Sequence, residues 1–301
     1  MEYESKLIEA LEGCHLRTGE LMREHTTFHI GGPADYFVSP ESADDIKNIL
    51  SVAEKFELPF FILGNGSNLL VSDKGIRGIV ISLREHFNKV SISGEKVKCQ
   101  SGVSNQALSK LLIQNALSGF EFASGIPGSI GGGAAMNAGA YGGELKNIIE
   151  TVNLIDSAGR EYTLSADEMR YEHRSSIALE KNLVITEVAL SLKKGNKAEI
   201  ESAVRDYNMR RADKQPLDKY SAGSAFKRPR AGYASRLIDQ AGLKGLSVGA
   251  ASVSLKHAGF IVNDGTASCR DVKELIAKIK AKIYAKYAVK LEEEVRIVGE
   301  F

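Results

Sequence analysis

The chain has 301 residues, 43% of them hydrophobic, so it is long and apolar enough to bury the cores of two domains. Its 39 basic and 38 acidic residues leave a net charge of +1, which supplies no broad field for nucleic acid or an anionic membrane. Any bound anion must therefore be held by local groups. Cys14, Cys99 and Cys269 fit neither a disulfide framework nor a zinc site, and we expect reduced thiols and no bound metal.

The N-terminal sequence MEYESKLIEALEG carries acidic residues where a signal peptide needs a basic start and an apolar stretch. No apolar run of about 18 residues, the length that crosses a bilayer, follows anywhere. We therefore expect a cytoplasmic protein that does not insert into a membrane.

The first part of the chain is predicted to mix helices and strands. After an N-terminal helix, Ser42 as N-cap and Asp45 three residues later predict a helix over 42–56. Ser104 similarly begins a helix over 104–117, which Gly119 ends. Between these two helices, apolar or alternating segments predict strands, namely PFFILG (59–64), GIVISL (78–83) and a hairpin over 88–99 around SGE.

The second part begins with a predicted hairpin at 150–164, a strand at 183–192 and a charged helix over 197–214 that Pro216 ends. The remaining segments indicate a small α+β unit of their own. They are a helix at 234–242, strands near 246–254 and 258–263, a helix over 270–286 and a closing strand in VKLEEEVRIVGEF (289–301). We place the domain boundaries at 1–20 for the N-terminal helix, 21–200 for a first domain and 201–301 for a second.

Residues 125–144, GIPGSIGGGAAMNAGAYGGE, contain eight glycines in twenty positions, and GNGSNLLVSD (64–73) is a second glycine-rich loop. Neither loop matches the P-loop or the Rossmann pattern. Runs of Gly, Ser and Asn instead let backbone N–H groups converge on an anion, which would hold a pyrophosphate without lysine. Flexible surface loops are the alternative, but apolar residues such as Ile126, Ile130 and Met136 among the glycines favour a packed turn.

Five segments together resemble the UDP-N-acetylenolpyruvoylglucosamine reductase family of peptidoglycan synthesis. They appear in the family's order and are TTFHIGGPADYFV (26–38), LGNGSNLLVSDKGIRGIVI (63–81), the glycine run at 125–144, SAGSAFKRP (221–229) and LEEEVRIVGEF (291–301). The resemblance implies an α+β fold, with an FAD-binding domain of the PCMH/vanillyl-alcohol-oxidase type, built from two α+β subdomains, over 21–200. Residues 201–301 would be a smaller substrate-binding domain. This domain lacks an insertion carrying a tyrosine loop, so it resembles the type II branch.

The same resemblance implies FAD as cofactor and NADPH as reductant. The substrate would be UDP-N-acetyl-enolpyruvyl-glucosamine and the product UDP-N-acetylmuramate, with hydride from flavin N5 and a proton from a serine. We expect these small molecules to be the only partners and the protein to be a monomer. Two alternatives stay open: another flavin oxidoreductase of the same fold that reacts with O₂, and a non-catalytic flavin-binding protein.

Matching positions in the motifs imply which residues act. The FAD contacts would be Gly64, Asn65, Gly66, Ser67, Asn68, Gly125, Ile126, Pro127, Gly128, Ser129, Gly133, Ala134 and Asn137. Ser224 would be the general acid. Glu294, beside a developing enolate, would be either protonated or an orienting group for proton transfer. Strand alternation would put Glu292 and Glu294 on one face and Glu293 opposite.

Arg174 is the candidate for gripping the substrate carboxylate, in bidentate geometry. Its segment MRYEHRSSIAL (169–179) resembles a family motif, with Ser176 in register and His173 where a tyrosine is usual. A competing register makes Tyr171 the motif tyrosine and replaces the arginine by Glu172, which removes a required cation. We therefore favour Arg174.

Basic residues are candidates for the substrate diphosphate and its surroundings. Arg211 and Lys214 lie three apart near the end of a predicted helix. Lys227 and Arg228 follow the serine motif, and both could stabilise its alkoxide. His257 is a weaker candidate, because HAGF departs from the family's usual HANF. His29 is expected to be a packed or exposed histidine rather than a flavin attachment site.

Overall fold

The structure is a computed structural model that describes residues 2–301, with side chains from residue 4 onwards. The chain forms two compact units. The first contains the N-terminal segment through Thr18, Tyr36–Asn65 and Gly78–Arg210, and the second contains Gly19–Asp35, Gly66–Arg77 and Arg211–Phe301. The predicted boundaries at residues 20 and 200 divide the chain into an N-terminal helix, an FAD-binding domain and a substrate-binding domain. This division by ligand stays a prediction.

In chain order the helices are α1 (Glu2–Leu11), α2 (Ala43–Lys55), α3 (Asn105–Gln114), α4 (Ile130–Ala135), α5 (Ile177–Glu180), α6 (Lys197–Lys214), α7 (Ala234–Gln240) and α8 (Cys269–Tyr287). The strands are β1 (Arg17–Leu21), β2 (Pro33–Val38), β3 (Phe60–Leu63), β4 (Leu69–Val71), β5 (Ile76–Ser82), β6 (Val90–Ser93), β7 (Lys96–Gln100), β8 (Leu117–Ser118), β9 (Gly139–Ala140), β10 (Gly143–Glu144), β11 (Ile149–Ile155), β12 (Glu161–Ser165), β13 (Val184–Ser191), β14 (Lys193–Lys194), β15 (Ser247–Val248), β16 (Ala251–Val253), β17 (Ile261–Asn263) and β18 (Arg296–Val298).

The first unit has two hydrophobic clusters. In one, buried Leu7 and Leu11 of α1 and Ile46 of α2 pack near β5, which pairs in parallel with β3. In the other, α3 and α4 contribute to the core of an antiparallel sheet of order β12-β11-β13-β7-β6. Period-2 alternation in β7, where Val97 and Cys99 are buried between exposed lysines, gives this sheet one apolar face.

The second unit is built around α8, whose buried residues repeat at helical spacing, such as Val272, Ile276 and Ile279. The antiparallel sheet β15-β16-β17 packs against it. The closing strand β18 pairs in parallel with β4, with Arg296 opposite Leu69. A pairing between residues so far apart in the chain makes residues 66–77 part of the C-terminal unit.

Asp73 holds the N-terminus of α8. Its carboxylate accepts hydrogen bonds from the backbone N–H of Cys269 at 2.8 Å and of Arg270 at 3.2 Å, beside the capping box of Ser268 and Asp271. A carboxylate at this end of a helix satisfies unpaired donors and also interacts well with the helix dipole.

Replacing Asp73 by alanine is therefore expected to lower the free energy of unfolding by about 1–2 kcal/mol. Urea unfolding of the two proteins measures the difference. Asp218→Ala, which removes an exposed aspartate of the same unit, is the matched control and should change stability by less than about 0.5 kcal/mol. Equal effects of the two substitutions would contradict the capping role.

Most predicted elements are confirmed. The charged helix has the predicted limits, and Ser42 and Asp45 form the expected capping box. The three cysteines are buried and unpaired, and burial raises the pKa of Cys99 and of Cys269 to about 12. Across residues 2–301, no helix combines the length and the apolar character needed to span a membrane.

Three predictions were wrong in detail. Helix α3 ends at Gln114 rather than at 117, because Ala116 turns to a φ of 52° and Leu117 enters a short strand. The loop after β3 contains the strand β4, which sequence analysis missed because its partner is the last strand of the chain. The closing strand begins only at Arg296, and the glutamate run before it pairs with the serine motif only through an isolated antiparallel bridge between Phe226 and Glu293.

Candidate active site

The glycine run begins as a loop fastened to the start of α3. The backbone N–H of Asn105 donates to the Gly128 carbonyl at 3.1 Å, and its side-chain Nδ2 donates to the Ile126 carbonyl at 3.2 Å. Ser104, the N-cap of α3, forms a β-bridge with Ser129. Sequence analysis missed Asn105, although an asparagine directly after an N-cap serine was a signal for such an anchor.

The next glycines allow α4 to pack closely inside the protein. A Cβ at Gly131 would overlap Ser101, and one at Gly133 would lie 2.8 Å from a methyl carbon of Leu145. Ser129 caps α4 by accepting a hydrogen bond from the Gly132 N–H at 3.3 Å. Two glycines of the run are therefore explained by packing of the chain on itself.

Other positions in the two glycine loops fit a ligand better than internal packing. A Cβ at Gly64 would lie 3.0 Å from Ser129 Oγ, so the two loops lie side by side at this point. Gly128 has a φ of 129°, which side chains rarely tolerate. Asn65 Oδ1 is buried without a hydrogen-bond partner, as is Ser101 Oγ. Buried polar atoms without hydrogen-bond partners, next to glycines whose backbone no side chain covers, indicate a bound polar molecule. Gly64, Asn65, Ser101 and Gly128 therefore fit a dinucleotide cofactor.

Asn137, a predicted cofactor contact, is buried and already paired. Its Nδ2 lies 3.1 Å from Glu144 Oε2 and 3.4 Å from the Glu172 carbonyl, and its Oδ1 accepts the Lys146 N–H. Hydrogen bonds from Lys146 and Asn137 lower the pKa of Glu144. The Asn137 side chain thus braces the loop, and its backbone N–H donates to the Ala134 carbonyl at 3.3 Å, so its role as a cofactor contact stays a prediction.

Arg174 lies at the tip of a tight turn. The backbone N–H of Glu172 donates to the Ser175 carbonyl, and Arg174 itself has a φ of 60°, an uncommon conformation for arginine. Buried Ser176 donates to the Ala135 carbonyl at 2.7 Å, so the turn is fixed to the end of α4. A conformation of this kind is often kept where a side chain must be aimed.

The competing register for this motif can be compared residue by residue. The Tyr171 ring packs against the core, its hydroxyl is buried without a partner, and burial raises its pKa. Glu172 is exposed, whereas Arg174 is half-buried. The assignment of the carboxylate-gripping role to Arg174 stays a prediction.

In the second unit, three predicted motifs are joined by hydrogen bonds to the backbone of Glu294. Ser224 forms a β-bridge with Phe260, and the next carbonyl, of Ala225, accepts the Glu294 N–H at 2.9 Å. The Glu294 carbonyl accepts from Asn68 Nδ2 at 3.1 Å. The chain thus brings Ser224, Glu294 and Asn68 into one small region.

Gly66 lets this part of the first glycine loop approach its neighbour. Its φ is 61°, and a Cβ there would overlap the carbonyl oxygen of His25. The Thr27 N–H donates to the Gly66 carbonyl at 3.3 Å. Gly66 is therefore required by the backbone conformation itself.

The basic candidates are spread over the second unit. Arg211 is half-buried and Lys214 is exposed in the last turn of α6. Lys227 Nζ lies 3.5 Å from Glu292, and the Arg228 guanidinium lies over the Tyr233 ring at 4.1 Å. Glu293 is instead bound to Lys280 at 2.8 Å, which helps to lower its pKa.

His257 is held in a specific tautomer. Its Nδ1 accepts the Gly259 N–H at 3.1 Å, so the neutral ring carries its proton on Nε2. A Cβ at residue 259 would lie 3.0 Å from His257 Cε1, so glycine in HAGF permits this contact. Burial, with a smaller contribution from Lys244, lowers the pKa of His257.

This lowered pKa predicts a pH dependence of stability. Because the folded pKa lies below the unfolded value of about 6.5, the unfolded chain binds the proton more tightly, and stability is lost as pH falls from about 6.5 through the folded pKa. Urea unfolding at a series of pH values should show His257→Gln gaining stability relative to wild type over that fall. The same dependence of stability on pH in wild type and in His257→Gln would contradict the assignment.

Comparison with known proteins agrees with these motifs. Residues 34–165 match an FAD binding domain, and residues 215–298 match the C-terminal domain of UDP-N-acetylenolpyruvoylglucosamine reductase. A reductase of that name from Clostridioides difficile is 46% identical over 98% of this chain and 97% of the relative. One from Alkaliphilus oremlandii is 47% identical over 93% and 92%.

The chain belongs to the UDP-N-acetylenolpyruvoylglucosamine reductase family. The crystal structure of the reductase from Thermus caldophilus superposes with a TM-score of 0.83 and 34% identity, covering 94% of this chain and 99% of that one. Alkyldihydroxyacetonephosphate synthase, with a TM-score of 0.50 and 19% identity over 63% of this chain and 44% of that one, shares the fold only. The predicted family, α+β fold and FAD-binding oxidoreductase class are confirmed.

Proposed function

We propose that this protein reduces UDP-N-acetyl-enolpyruvyl-glucosamine to UDP-N-acetylmuramate in peptidoglycan synthesis, with NADPH as the source of electrons. The observation that carries the proposal is the joining of three family motifs by hydrogen bonds to the backbone of Glu294. Glu294 donates to the carbonyl of Ala225, next to Ser224, and accepts from Asn68. Residues distant in the chain are thereby held together, as acid chemistry on a bound substrate requires.

FAD, when bound, supplies the hydride for the vinyl carbon distal to the substrate carboxylate. The residues suited to hold it are glycines, whose backbone no side chain covers, and residues with buried acceptor atoms that have no hydrogen-bond partner. Gly64 and Gly128 offer main-chain contacts, and Asn65 Oδ1, which is buried without a hydrogen-bond partner, can accept a hydrogen bond from the cofactor. Main-chain N–H groups would bind the pyrophosphate, which the small net charge of the chain does not attract at long range.

Arg174 binds the substrate carboxylate in this proposal. Addition of hydride to the enolpyruvyl group puts negative charge on that carboxylate and its neighbouring carbon, so a fixed cation stabilises the transition state more than the ground state. The turn, with Ser176 bound to the Ala135 carbonyl, limits movement of the backbone from which the Arg174 side chain extends.

Ser224 donates the proton to the carbon next to the carboxylate, and Glu294 orients the proton-transfer network. A serine hydroxyl is a weak acid, so its alkoxide must be stabilised when the proton leaves. Lys227 has Glu292 as a partner and Arg228 lies over Tyr233. Stabilisation by either cation therefore requires it to leave its present contact. Arg211 and Lys214 are the candidates for the substrate diphosphate.

Turnover with product analysis tests the proposal. Purified protein with FAD, NADPH and the enolpyruvyl substrate should give a product two hydrogens heavier by mass spectrometry, with one NADPH oxidised for each product formed. Consumption of O₂ by the reduced protein without this product would favour another flavin oxidoreductase of the same fold. Binding of FAD without any oxidation of NADPH would favour a flavin-binding protein without catalytic activity.

A further inference from the structure

Three metal-ligating side chains meet in the first unit, at residues that no motif of the reductase family includes. His15 follows the short turn after α1, Glu41 directly precedes α2, and His86 lies in the loop after β5. One ring nitrogen of each histidine and a carboxylate oxygen of Glu41 all lie within 4.8 Å of one another. Among the side chains of residues 4–301 this is the one group of three or more His, Cys, Asp or Glu that is this close.

The local backbone fixes two of the three residues, His15 and Glu41, from different directions. His15 has a φ of 50°, and the carbonyl before it, of Cys14, accepts the Ser39 N–H at 2.9 Å. The Glu41 N–H donates to Asp45 Oδ2 at 2.8 Å, in the same turn as the capping box of α2. The arrangement thus depends on main-chain contacts and does not depend on side-chain packing alone.

The side-chain geometry suits one ion shared by all three groups. His15 Nε2 lies 2.6 Å from Glu41 Oε1, and the rings of His15 and His86 are stacked with centroids 4.6 Å apart and an interplanar angle of 21°. Ligand atoms around a tetrahedral Zn²⁺ lie about 3.4 Å apart, given bonds of about 2.1 Å. Movements of about 1 Å, available to the exposed His15 and Glu41 side chains, would bring the three atoms to that spacing.

We propose that His15, Glu41 and His86 form a binding site for a divalent transition metal of the Zn²⁺ type. Two imidazoles and one carboxylate suit this class of ion better than they suit Mg²⁺ or Ca²⁺. The exposed side of the cluster leaves a fourth coordination position for water. The bound ion joins the end of α1 to the segments before α2 and after β5. Its role is to fix the N-terminal helix, and it shares no residue with the proposed chemistry.

The prediction of no bound metal rested on the spacing of the cysteines, and that spacing carries no information about a cluster of two histidines and a glutamate. The three residues are separated by 26 and 45 positions in the chain, so only the fold brings them together. Zinc sites read from sequence depend on short repeated spacings. A site assembled from three separate segments leaves no such signal.

Isothermal titration of the chelator-treated, FAD-loaded protein with Zn²⁺ tests the proposal. We expect one equivalent to bind in the micromolar range or tighter. Glu41→Gln, which keeps a hydrogen-bonding group for His15, and His86→Gln should each weaken binding at least tenfold. His25→Gln is the matched control, since His25 is paired with Glu20 at 2.7 Å but belongs to no group of three ligands, and it should bind like wild type.

Thermal unfolding gives a second readout, because an ion that binds the folded state raises the melting temperature. Zn²⁺ should raise the melting temperature of wild type and of His25→Gln by a few degrees, with no rise for Glu41→Gln or His86→Gln. Unchanged melting of Glu41→Gln without metal shows that this variant is folded. Absence of micromolar binding to wild type, or binding that both ligand variants retain, would overturn the proposal.

Discussion

Replacing Ser224 by alanine is expected to leave reduction of the flavin by NADPH within about twofold of wild type and to slow reoxidation by the enolpyruvyl substrate about 10²- to 10⁴-fold. The difference arises because a proton donor acts only when the substrate carbon accepts its proton. Reduction of the flavin by NADPH needs no donor for that carbon. The same substitution leaves the Ala225 to Glu294 backbone hydrogen bond in place.

Anaerobic stopped-flow absorbance follows the two half-reactions separately. Ser221→Ala is the matched control, because Ser221 lies three residues earlier in the same segment and its hydrogen bonds with Thr27 use its backbone N–H and carbonyl. The control should be close to wild type in both half-reactions. Equal losses in both half-reactions of Ser224→Ala would show that the serine supports the structure and does not donate the proton.

Replacing Gly128 by valine is expected to yield protein that binds FAD at least about tenfold more weakly. Gly128 has a φ of 129°, and a β-branched residue held there costs about 1–3 kcal/mol or forces the loop into another conformation. Another conformation displaces the Gly128 carbonyl, to which the Asn105 N–H donates, and the backbone next to Ser129. The flavin to protein ratio after purification, followed by titration of the stripped protein with FAD, measures the effect.

Gly142→Asn is the matched control for this variant. Gly142 also has a positive φ, of 86°, but a Cβ there meets no atom within 4 Å, and asparagine tolerates such a conformation. The control should retain full flavin. Full flavin occupancy in Gly128→Val would show that this loop does not bind the cofactor.

Local features were predictable from the sequence because they depend on neighbouring residues. The capping box at Ser42, the helix over 197–214 and the hairpin around Gly159 follow from spacing alone. The family motifs likewise identified Ser224 and Glu294 as candidates, and the fold places their segments side by side. Roles that depend on bound FAD and substrate stay predictions.

Contacts between residues far apart in the chain could not be predicted from the sequence. The parallel pairing of β4 with β18 joins residues more than 200 positions apart, and no local pattern marks it. Contact with a ligand was the one explanation predicted for all glycines of 125–144, whereas Gly131 and Gly133 are needed for packing against Ser101 and Leu145. Their neighbours become known only when the chain is folded.

The most direct test of the proposed function is anaerobic absorption spectroscopy of the purified protein. We expect the spectrum of oxidised flavin, its loss on addition of NADPH, and its return on addition of the enolpyruvyl substrate with formation of UDP-N-acetylmuramate. A colourless protein that cannot be reconstituted with FAD would contradict the account. Reduced flavin that O₂ reoxidises and the enolpyruvyl substrate does not would contradict it as well.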